Sequence, residues 1–298
     1  MIKLHLNGIE SALRWTNFSD GASAVCLLGH PPVFADTAFI TCIADGGLHD
    51  SLFHVAQVLD IVRNLNPRIK TTLYIPYTPY ARADRHMVDR DSFGLQVYTT
   101  ALNKLNFDKV VIVDPHSDVA PALINNCKVI SQADVIATDP VTSWFSTKDF
   151  LLVSPDAGSL KKIGKVASLL KRDVVVLGKD RDVTDGRITN TRILGDSSIV
   201  NGRDCIIVDD ICDGGGTFIA AAQALYSAGA NSVELFVTHG IFSRGLSPLV
   251  DAGFTRIITT NSIGLDLQGC RKSEHPDLVR VIECEALYAA RNTAGGFR

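Results

Sequence analysis

Two adjacent carboxylates followed by a glycine-rich turn form the strongest chemical signal in this chain of 298 residues. An apolar run from Cys205 ends in Asp209 and Asp210, and residues 213–217 follow as Asp-Gly-Gly-Gly-Thr. Acids at a strand end can accept hydrogen bonds from vicinal sugar hydroxyls or hold a hydrated divalent cation. Glycine amides at the start of a helix can close around a phosphate. We therefore predict a phosphate-binding loop with a sugar or a hydrated cation at its paired acids, and we call it the sugar-phosphate loop. Its predicted contacts are Asp209, Asp210, Asp213, Gly214, Gly215, Gly216 and Thr217.

A second predicted anion site follows another apolar run and reads Ser-Pro-Asp-Ala-Gly-Ser at 154–159. The turn leads into a helical pattern, so its amides can hold a diphosphate. Its predicted contacts are Asp156, Ala157, Gly158 and Ser159, with Asp156 also a candidate metal ligand. Lys161 and Lys162 come next, and we interpret both as solvated helix charges.

Three further groups of residues are candidates for phosphate or metal chemistry. Arg82 and Arg85 can each bind two phosphate oxygens, and the alternative to this favoured interpretation is a solvated charged turn. His116 is either a metal contact or a turn histidine bonded to backbone. Lys179 and Arg181 open a polar stretch that we predict to be a mobile lid, closing cations onto the reacting group. In isolation both would be surface charges.

Short β-branched runs alternate with helical patterns, which predicts an α/β fold with parallel sheets. Leu52, Val55, Ala56, Leu59 and Val62 lie at helical spacing, and a second helix is predicted from Thr217 to about Ala228. The predicted strands are Thr71–Pro76, Lys109–Asp114, Phe150–Ser154, Val174–Gly178, Cys205–Asp209 and Val233–Thr238. The length indicates two domains. The stretch 136–147 lacks a strong period, so we place the boundary there and expect two doubly wound domains, 1–140 and 141–277. A strand and helix within 278–298 are predicted to pack back on the first domain.

The composition argues against several classes of function. A net charge of -3 leaves no basic excess for a nucleic-acid backbone. No apolar run approaches the roughly 20 residues that span a bilayer. Seven scattered cysteines without a CxxC pair favour neither a disulfide framework nor a zinc ribbon. We expect a soluble cytoplasmic protein without nucleic-acid or membrane partners.

The sugar-phosphate loop resembles the loop shared by phosphoribosyltransferases and ribose-phosphate pyrophosphokinases. Four other segments, in the same order, resemble the pyrophosphokinases in particular, so that the resemblance covers about residues 70 to 265. These are the Pro-Tyr…Tyr-Ala-Arg-Ala-Asp-Arg stretch at 76–85, Asp-Pro-His-Ser at 114–117, Ser-Pro-Asp-Ala-Gly at 154–158 and Lys-Asp-Arg at 179–181.

The resemblance implies two domains of phosphoribosyltransferase-like build and an Mg²⁺-dependent diphosphotransferase. Such an enzyme moves the β,γ-diphosphate of ATP to the C1 hydroxyl of ribose 5-phosphate, giving phosphoribosyl pyrophosphate and AMP. It also implies a homo-oligomer in which Phe18 and Asp20 reach the ATP site of a neighbouring subunit. The implied roles are ATP binding by Phe18, Asp20, Arg82, Asp84, Arg85 and His116, Mg²⁺ contacts by His116 and Asp156, and catalysis by Lys179 and Arg181.

Several departures from the family pattern leave alternatives open. Ala22 and Ala83 replace a glutamate and a glutamine, so adenine recognition is expected to be altered. Asp-Gly-Gly-Gly-Thr replaces Asp-Thr-Ala-Gly-Thr in the sugar loop. The acceptor is therefore either ribose 5-phosphate or a 5-extended ribose such as ADP-ribose, as in NAD salvage. The other alternative functions are a phosphoribosyltransferase and a non-catalytic regulatory relative of a synthetase. The chain retains the lid cations and the carboxylates, which disfavours the last.

Overall fold

The computed structural model describes residues 1–29, 35–44, 48–138, 141–146, 149–181, 188–264 and 278–293. These residues form two α/β units. The first contains Met1–Ile130 with Ser262–Gly264, and the second contains Ser131–Asn261 with the C-terminal residues 278–293.

The first unit is built on a six-stranded sheet of order β2-β1-β5-β6-β7-β8 with a separate β3-β4 hairpin. Strands β5 to β8 run parallel, and β1 is antiparallel to both β2 and β5. The elements are β1 (Ile2–Leu6), β2 (Ile9–Ser11), β3 (Leu13–Asn17), β4 (Ser23–Leu27), β5 (Thr37–Cys42), α1 (Leu48–Leu65), β6 (Lys70–Ile75), α2 (Gly94–Lys104), β7 (Lys109–Val113), α3 (Val119–Leu123) and β8 (Cys127–Ile130).

Helix α1 covers one face of this sheet with the apolar stripe predicted from its spacing. Val55, Leu59 and Val62 are buried in the same core as Leu73 and Ile112 of the sheet. Because these helix positions recur at three- and four-residue intervals, they lie on one side of the helix.

The second unit is built on a seven-stranded sheet of order β11-β10-β9-β12-β13-β14-β15. All neighbours pair in parallel except β10 and β11, which form an antiparallel pair. The elements are α4 (Gln132–Ile136), α5 (Val141–Ser146), β9 (Phe150–Ser154), α6 (Leu160–Leu170), β10 (Val174–Arg181), β11 (Ile188–Leu194), β12 (Asp204–Cys212), α7 (Gly216–Ser227), β13 (Ser232–Gly240), α8 (Ser247–Asp251), β14 (Phe254–Thr260), β15 (Val279–Ile282) and α9 (Cys284–Thr293).

The six predicted strands and both predicted helices are present, with ends displaced by a few residues. The α/β fold with parallel sheets is confirmed. Among the described residues, none of the helices is both long enough and apolar enough to cross a membrane.

The division between the units differs from the predicted one. The first unit ends at Ile130, whereas the predicted boundary at residue 140 places α4 in the first domain. Gln132 Nε2 donates to the Asp209 carbonyl at 2.8 Å, and the Phe145 ring packs on those of Phe150 and Phe236. These contacts fasten the segment to the second sheet.

The predicted return of the C-terminal segment to the first domain is wrong. Strand β15 extends the second sheet by pairing in parallel with β14. Arg291 of α9 forms a salt bridge with Asp134 of α4 at 3.1 Å. A strand and a helix form as predicted, but their partners belong to the second unit.

Candidate active site

The paired acids lie near the carboxyl end of β12, where parallel strands of an α/β sheet present their ligand-binding edge. Asp210 is 6% exposed. The Asp209 carboxylate accepts the Asp210 backbone N–H at 2.9 Å and the Ser159 hydroxyl at 3.1 Å. These bonds fix the Asp209 carboxylate against the turn that follows the neighbouring strand.

That turn is the predicted pyrophosphate loop, and it is organised by Asp156. The Asp156 carboxylate caps a single 3-10 turn, Ala157–Ser159, by accepting the Ser159 N–H at 3.2 Å. Ser154 Oγ donates to the Asp156 carbonyl at 2.7 Å and closes the turn from the strand side. Ser159 therefore connects the two predicted anion sites within one unit, since its hydroxyl bonds Asp209 while its N–H bonds Asp156.

Lys162 is a site residue that the sequence analysis missed. It was interpreted as a solvated charge, yet its Nζ lies 3.0 Å from Asp210 Oδ2, and its side chain is 27% exposed. Because α6 buries Ile163 and Val166, Lys162 borders the face that packs on the sheet. Lys162 precedes the buried Val166 by one helical turn, and this spacing is the sequence signal that places it near the buried face of the helix.

Replacing Lys162 with glutamine should destabilise the protein by about 1–3 kcal/mol, because the buried Asp210 carboxylate loses its charge partner. Urea unfolding at pH 7 measures the difference. Lys165→Gln, at an exposed position of the same helix, is the matched control and should change the free energy of unfolding by less than about 0.5 kcal/mol. Equal effects of the two variants would show that the ion pair contributes nothing.

Asp209 is the acid whose protonation the site perturbs most clearly. Burial, reinforced by the charges of Asp210 and Asp156, raises the pKa of Asp209 to about 7 from 3.8. The folded protein therefore holds a proton here that the unfolded chain releases at lower pH. The contribution of Asp209 to the free energy of unfolding falls as the pH rises from about 4 to about 7.

The variant Asp209→Asn removes this titration while keeping an oxygen that accepts from Ser159. Its melting temperature relative to the wild type should rise between pH 5 and pH 8, where the wild type must ionise a buried acid. Thermal unfolding of both proteins across this range is the measurement. A difference in melting temperature between the variant and the wild type that is the same at all pH values would contradict the raised pKa of Asp209.

The sugar-phosphate loop has the backbone conformation that its glycines permit. Gly215 caps α7 with φ 79°, in the left-handed region. A Cβ there would lie 3.2 Å from Leu249 Cδ2, so space as well as conformation favours glycine. The first amides of α7, from Gly216 and Thr217 onward, form the positive end of the helix dipole beside the paired acids.

A second cluster lies in the first unit, beyond the carboxyl ends of β6 and β7. Arg85 binds the carboxylate of Asp84 in a bidentate manner, with Nε at 2.7 Å and Nη2 at 3.1 Å. Hydrogen bonds from Arg85 and then Ser117, together with the nearby charge of His116, outweigh burial and lower the pKa of Asp84 to about 2. The structure thus brings Asp84, Arg85, His116 and Ser117 together, and Arg82 lies exposed on the same turn.

Because the pKa of Asp84 is lowered, its stabilising contribution should be present above about pH 4 and be lost as the pH falls toward 2. Asp84→Asn should lower the free energy of unfolding at pH 7 by about 1 kcal/mol, since the charged partner of its hydrogen bonds is removed. Urea unfolding at pH 7 and pH 3 tests this, with a smaller difference expected at pH 3. A difference that does not change with pH would contradict the ionised pair.

Phe18 and Asp20 lie in the turn that joins β3 and β4. Asp20 Oδ1 accepts the Ala22 N–H at 2.9 Å, and the Phe18 ring is 53% exposed. The turn therefore presents an aromatic ring to the surroundings, and Asp20 helps to shape it.

Comparisons with known proteins cover nearly the whole chain. A family model described as a phosphoribosyl transferase domain matches residues 128–264. The ribose-phosphate pyrophosphokinase of Granulibacter bethesdensis is 29% identical over 236 residues, which are 78% of this chain and 74% of that protein. That of Maricaulis maris is 29% identical over 260 residues, covering 87% and 82%. A crystal structure of phosphoribosylpyrophosphate synthetase from Mycobacterium smegmatis matches with a TM-score of 0.79 and 25% identity, over 97% of this chain and 91% of that one.

The predicted resemblance to ribose-phosphate pyrophosphokinases is confirmed by these comparisons. The similarity to these enzymes extends over both units. The phosphoribosyl transferase model, in contrast, matches the second unit up to Asn261 and only the last residues of the first.

The two predicted catalytic cations, Lys179 and Arg181, lie at the end of the edge hairpin that β10 and β11 form. The backbone of Lys179 pairs with Thr191 and that of Arg181 with Ile188, with an irregularity between Asp180 and Arg181. The stretch up to Arg192, predicted as a mobile lid, is therefore strand β11 from Ile188 onward. Residues 182–187 lie outside the described residues.

Proposed function

We propose that this protein is an Mg²⁺-dependent ribose-phosphate pyrophosphokinase that transfers the β,γ-diphosphate of ATP to the C1 hydroxyl of ribose 5-phosphate. The products are phosphoribosyl pyrophosphate and AMP. The observation that carries the proposal is the joined site of the second unit, in which Ser159 connects the Asp156 turn to Asp209 beside the glycine loop. Sugar hydroxyls, a 5-phosphate and a diphosphate each find a suitable partner there.

In this proposal the second unit binds and orients the acceptor. Asp209 and Asp210 accept hydrogen bonds from vicinal hydroxyls of the ribose, and Lys162 holds the Asp210 carboxylate in place. The amides of the loop at 213–217 bind the 5-phosphate at the start of α7. Fixing both ends of the sugar orients its C1 hydroxyl for attack, which lowers the entropic part of the barrier.

The first unit supplies the proposed contacts to ATP. Arg82 and Arg85 are suited to triphosphate oxygens, since a guanidinium donates two parallel hydrogen bonds. Attack at the β-phosphorus builds charge on the non-bridging oxygens and on the departing AMP. Lys179 and Arg181 are proposed to stabilise that charge, because phosphoryl transfer is catalysed mainly by positioning and electrostatics.

His116 and Asp156 are the proposed Mg²⁺ contacts, and the described residues contain no group of three or more metal-ligating side chains. Such a sparse set fits Mg²⁺, which keeps several waters and uses one or two carboxylates together with substrate phosphates. When bound, the ion offsets the charge of the phosphate oxygens. A homo-oligomer in which Phe18 and Asp20 serve a neighbouring ATP site also remains part of the proposal, as does a location in the cytoplasm.

One observation favours a second acceptor, a ribose extended at its 5-phosphate such as ADP-ribose. A Cβ at Gly216 would meet no heavy atom within 4 Å. The loop therefore leaves open space that an additional group on the phosphate requires.

AMP release from ATP and Mg²⁺, measured with ribose 5-phosphate or ADP-ribose as acceptor, tests the proposal. Turnover with ribose 5-phosphate is the expected result. Turnover with ADP-ribose alone would mean that the enzyme transfers the diphosphate as proposed but to a different acceptor. ATP-independent consumption of phosphoribosyl pyrophosphate with a base would indicate a phosphoribosyltransferase, and nucleotide binding without turnover would indicate a regulatory relative.

A further inference from the structure

The segment that follows β13 is fastened to the sugar-phosphate loop by main-chain hydrogen bonds. The Ile241 and Phe242 N–H groups donate to the Cys212 carbonyl at 2.8 and 3.1 Å, and the Ser243 N–H donates to the Asp213 carbonyl at 3.2 Å. These three bonds hold residues 241–243 against the start of the loop. The next residue, Arg244, is therefore carried to the loop by backbone geometry.

The Arg244 side chain lies over Gly214. A Cβ at Gly214 would be 3.3 Å from Arg244 Nε, 3.5 Å from Cδ and 3.8 Å from Cγ. The missing side chain of Gly214 thus leaves the space that the arginine occupies. A larger residue at position 214 would have to push the guanidinium away from the loop.

None of the described residues neutralises the charge of Arg244. The residue is exposed, and in the parts of the chain that the structure describes no carboxylate forms a salt bridge with it. The N-terminus of α7 adds positive potential at the same loop. An uncompensated guanidinium with five donors beside a glycine loop is suited to bidentate binding of phosphate oxygens.

We propose that Arg244 binds the 5-phosphate of the acceptor and makes the enzyme specific for a phosphorylated sugar. In this arrangement Arg244 supplies the side-chain contact to phosphate that Gly214, Gly215 and Gly216 cannot supply. The inference rests on the proposed function, because it assigns a ligand to the same loop.

Arg244→Ala should raise the KM for ribose 5-phosphate by about 10- to 100-fold, the loss expected for a hydrogen bond to a charged group. Because the contact is the same in the ground and transition states, kcat should change less than about twofold. Arg244→Lys should recover only part of the affinity, since an ammonium cannot form the bidentate pair. Arg280→Ala, at an exposed position of β15, is the matched control for loss of one positive charge.

Calorimetric binding of ribose 5-phosphate and of unphosphorylated ribose, without ATP, separates phosphate recognition from turnover. The substitution should weaken binding of ribose 5-phosphate and leave that of ribose unchanged. A second test uses Gly214→Val, which crowds the arginine without adding a hydroxyl that could bind phosphate. It should weaken ribose 5-phosphate binding in the wild type but add little to Arg244→Ala, because both changes remove the same contact.

The outcomes distinguish this inference from the proposed function. If the wild type binds and turns over ribose 5-phosphate and Arg244→Ala does so with unchanged KM, the role of Arg244 is overturned and the function stands. Equal weakening of ribose and ribose 5-phosphate would indicate a structural role and would also overturn it. If the wild type neither binds nor turns over ribose 5-phosphate, the proposed function fails and the inference fails with it.

Discussion

A variant in which Lys179 and Arg181 are both replaced by alanine should lose at least about 100- to 1,000-fold in kcat, the cost of removing one transition-state donor in other enzymes. Both residues lie at the end of β10, beside residues that the structure does not describe. Their removal takes away the charge that is proposed to act on the transferring diphosphate, so the KM for ribose 5-phosphate should change much less than kcat. Steady-state AMP release measures both constants.

The control for this variant is Arg192→Ala on the partner strand, whose backbone pairs with Gly178. It removes a cation from the same hairpin without touching the two proposed catalytic positions. The melting temperatures of all variants should agree within a few degrees. An equal loss of kcat in Arg192→Ala would mean that the charge of the hairpin in general, rather than Lys179 and Arg181, supports turnover.

At pH 8, above the raised pKa of Asp209, Asp209→Asn and Asp210→Asn should each reduce kcat/KM for ribose 5-phosphate by about 10- to 150-fold, which corresponds to the loss of one or two hydrogen bonds to a charged acceptor. An amide of the same size keeps the packing but can no longer accept from both a sugar hydroxyl and its protein donor with full charge. ATP binding should be unaffected, because the proposed nucleotide contacts lie in the first unit. Calorimetry with each substrate separates the two effects.

Asp204→Asn offers the matched comparison, because it is the same substitution at the opposite end of β12. The Asp204 carboxylate accepts hydrogen bonds from Asn231 and Ser232, both at 2.6 Å, so this variant should lose stability while keeping its kcat/KM. If Asp204→Asn impairs turnover as much as the paired-acid variants do, the acids of β12 support turnover by stabilising the strand rather than by binding the sugar.

The sequence predicted those features that depend on local pattern. The strands ending near Asp156 and Asp209 are short β-branched runs, and α1 carries its apolar residues at helical spacing. The loop at 213–217 is likewise a local pattern, because two acids and three consecutive glycines directly precede the predicted start of a helix. For this reason the fold class and the loop at 213–217 were accessible without coordinates.

Features that depend on distant partners were not predicted. Lys162 meets Asp210 48 residues further along the chain, and no local signal distinguishes such a lysine from a solvated one except its position beside a buried helix face. Arg244 reaches Gly214 only because the segment after β13 bonds the end of β12. The C-terminal strand was predicted correctly as a strand. Its pairing with β14 was not, because the spacing of apolar residues and the composition do not specify which strand is its neighbour.

The measurement that tests the central claim most directly uses ATP labelled with ³²P at its β-phosphorus. The enzyme is incubated with this ATP, Mg²⁺ and ribose 5-phosphate, and the label is located among the products. The proposed diphosphotransferase should move the label into the sugar product while releasing an equal amount of AMP, and the label should remain in ATP when the acceptor is omitted. Label recovered in ADP, together with a sugar product that carries none, would mean that only the γ-phosphoryl group moves and would contradict the account.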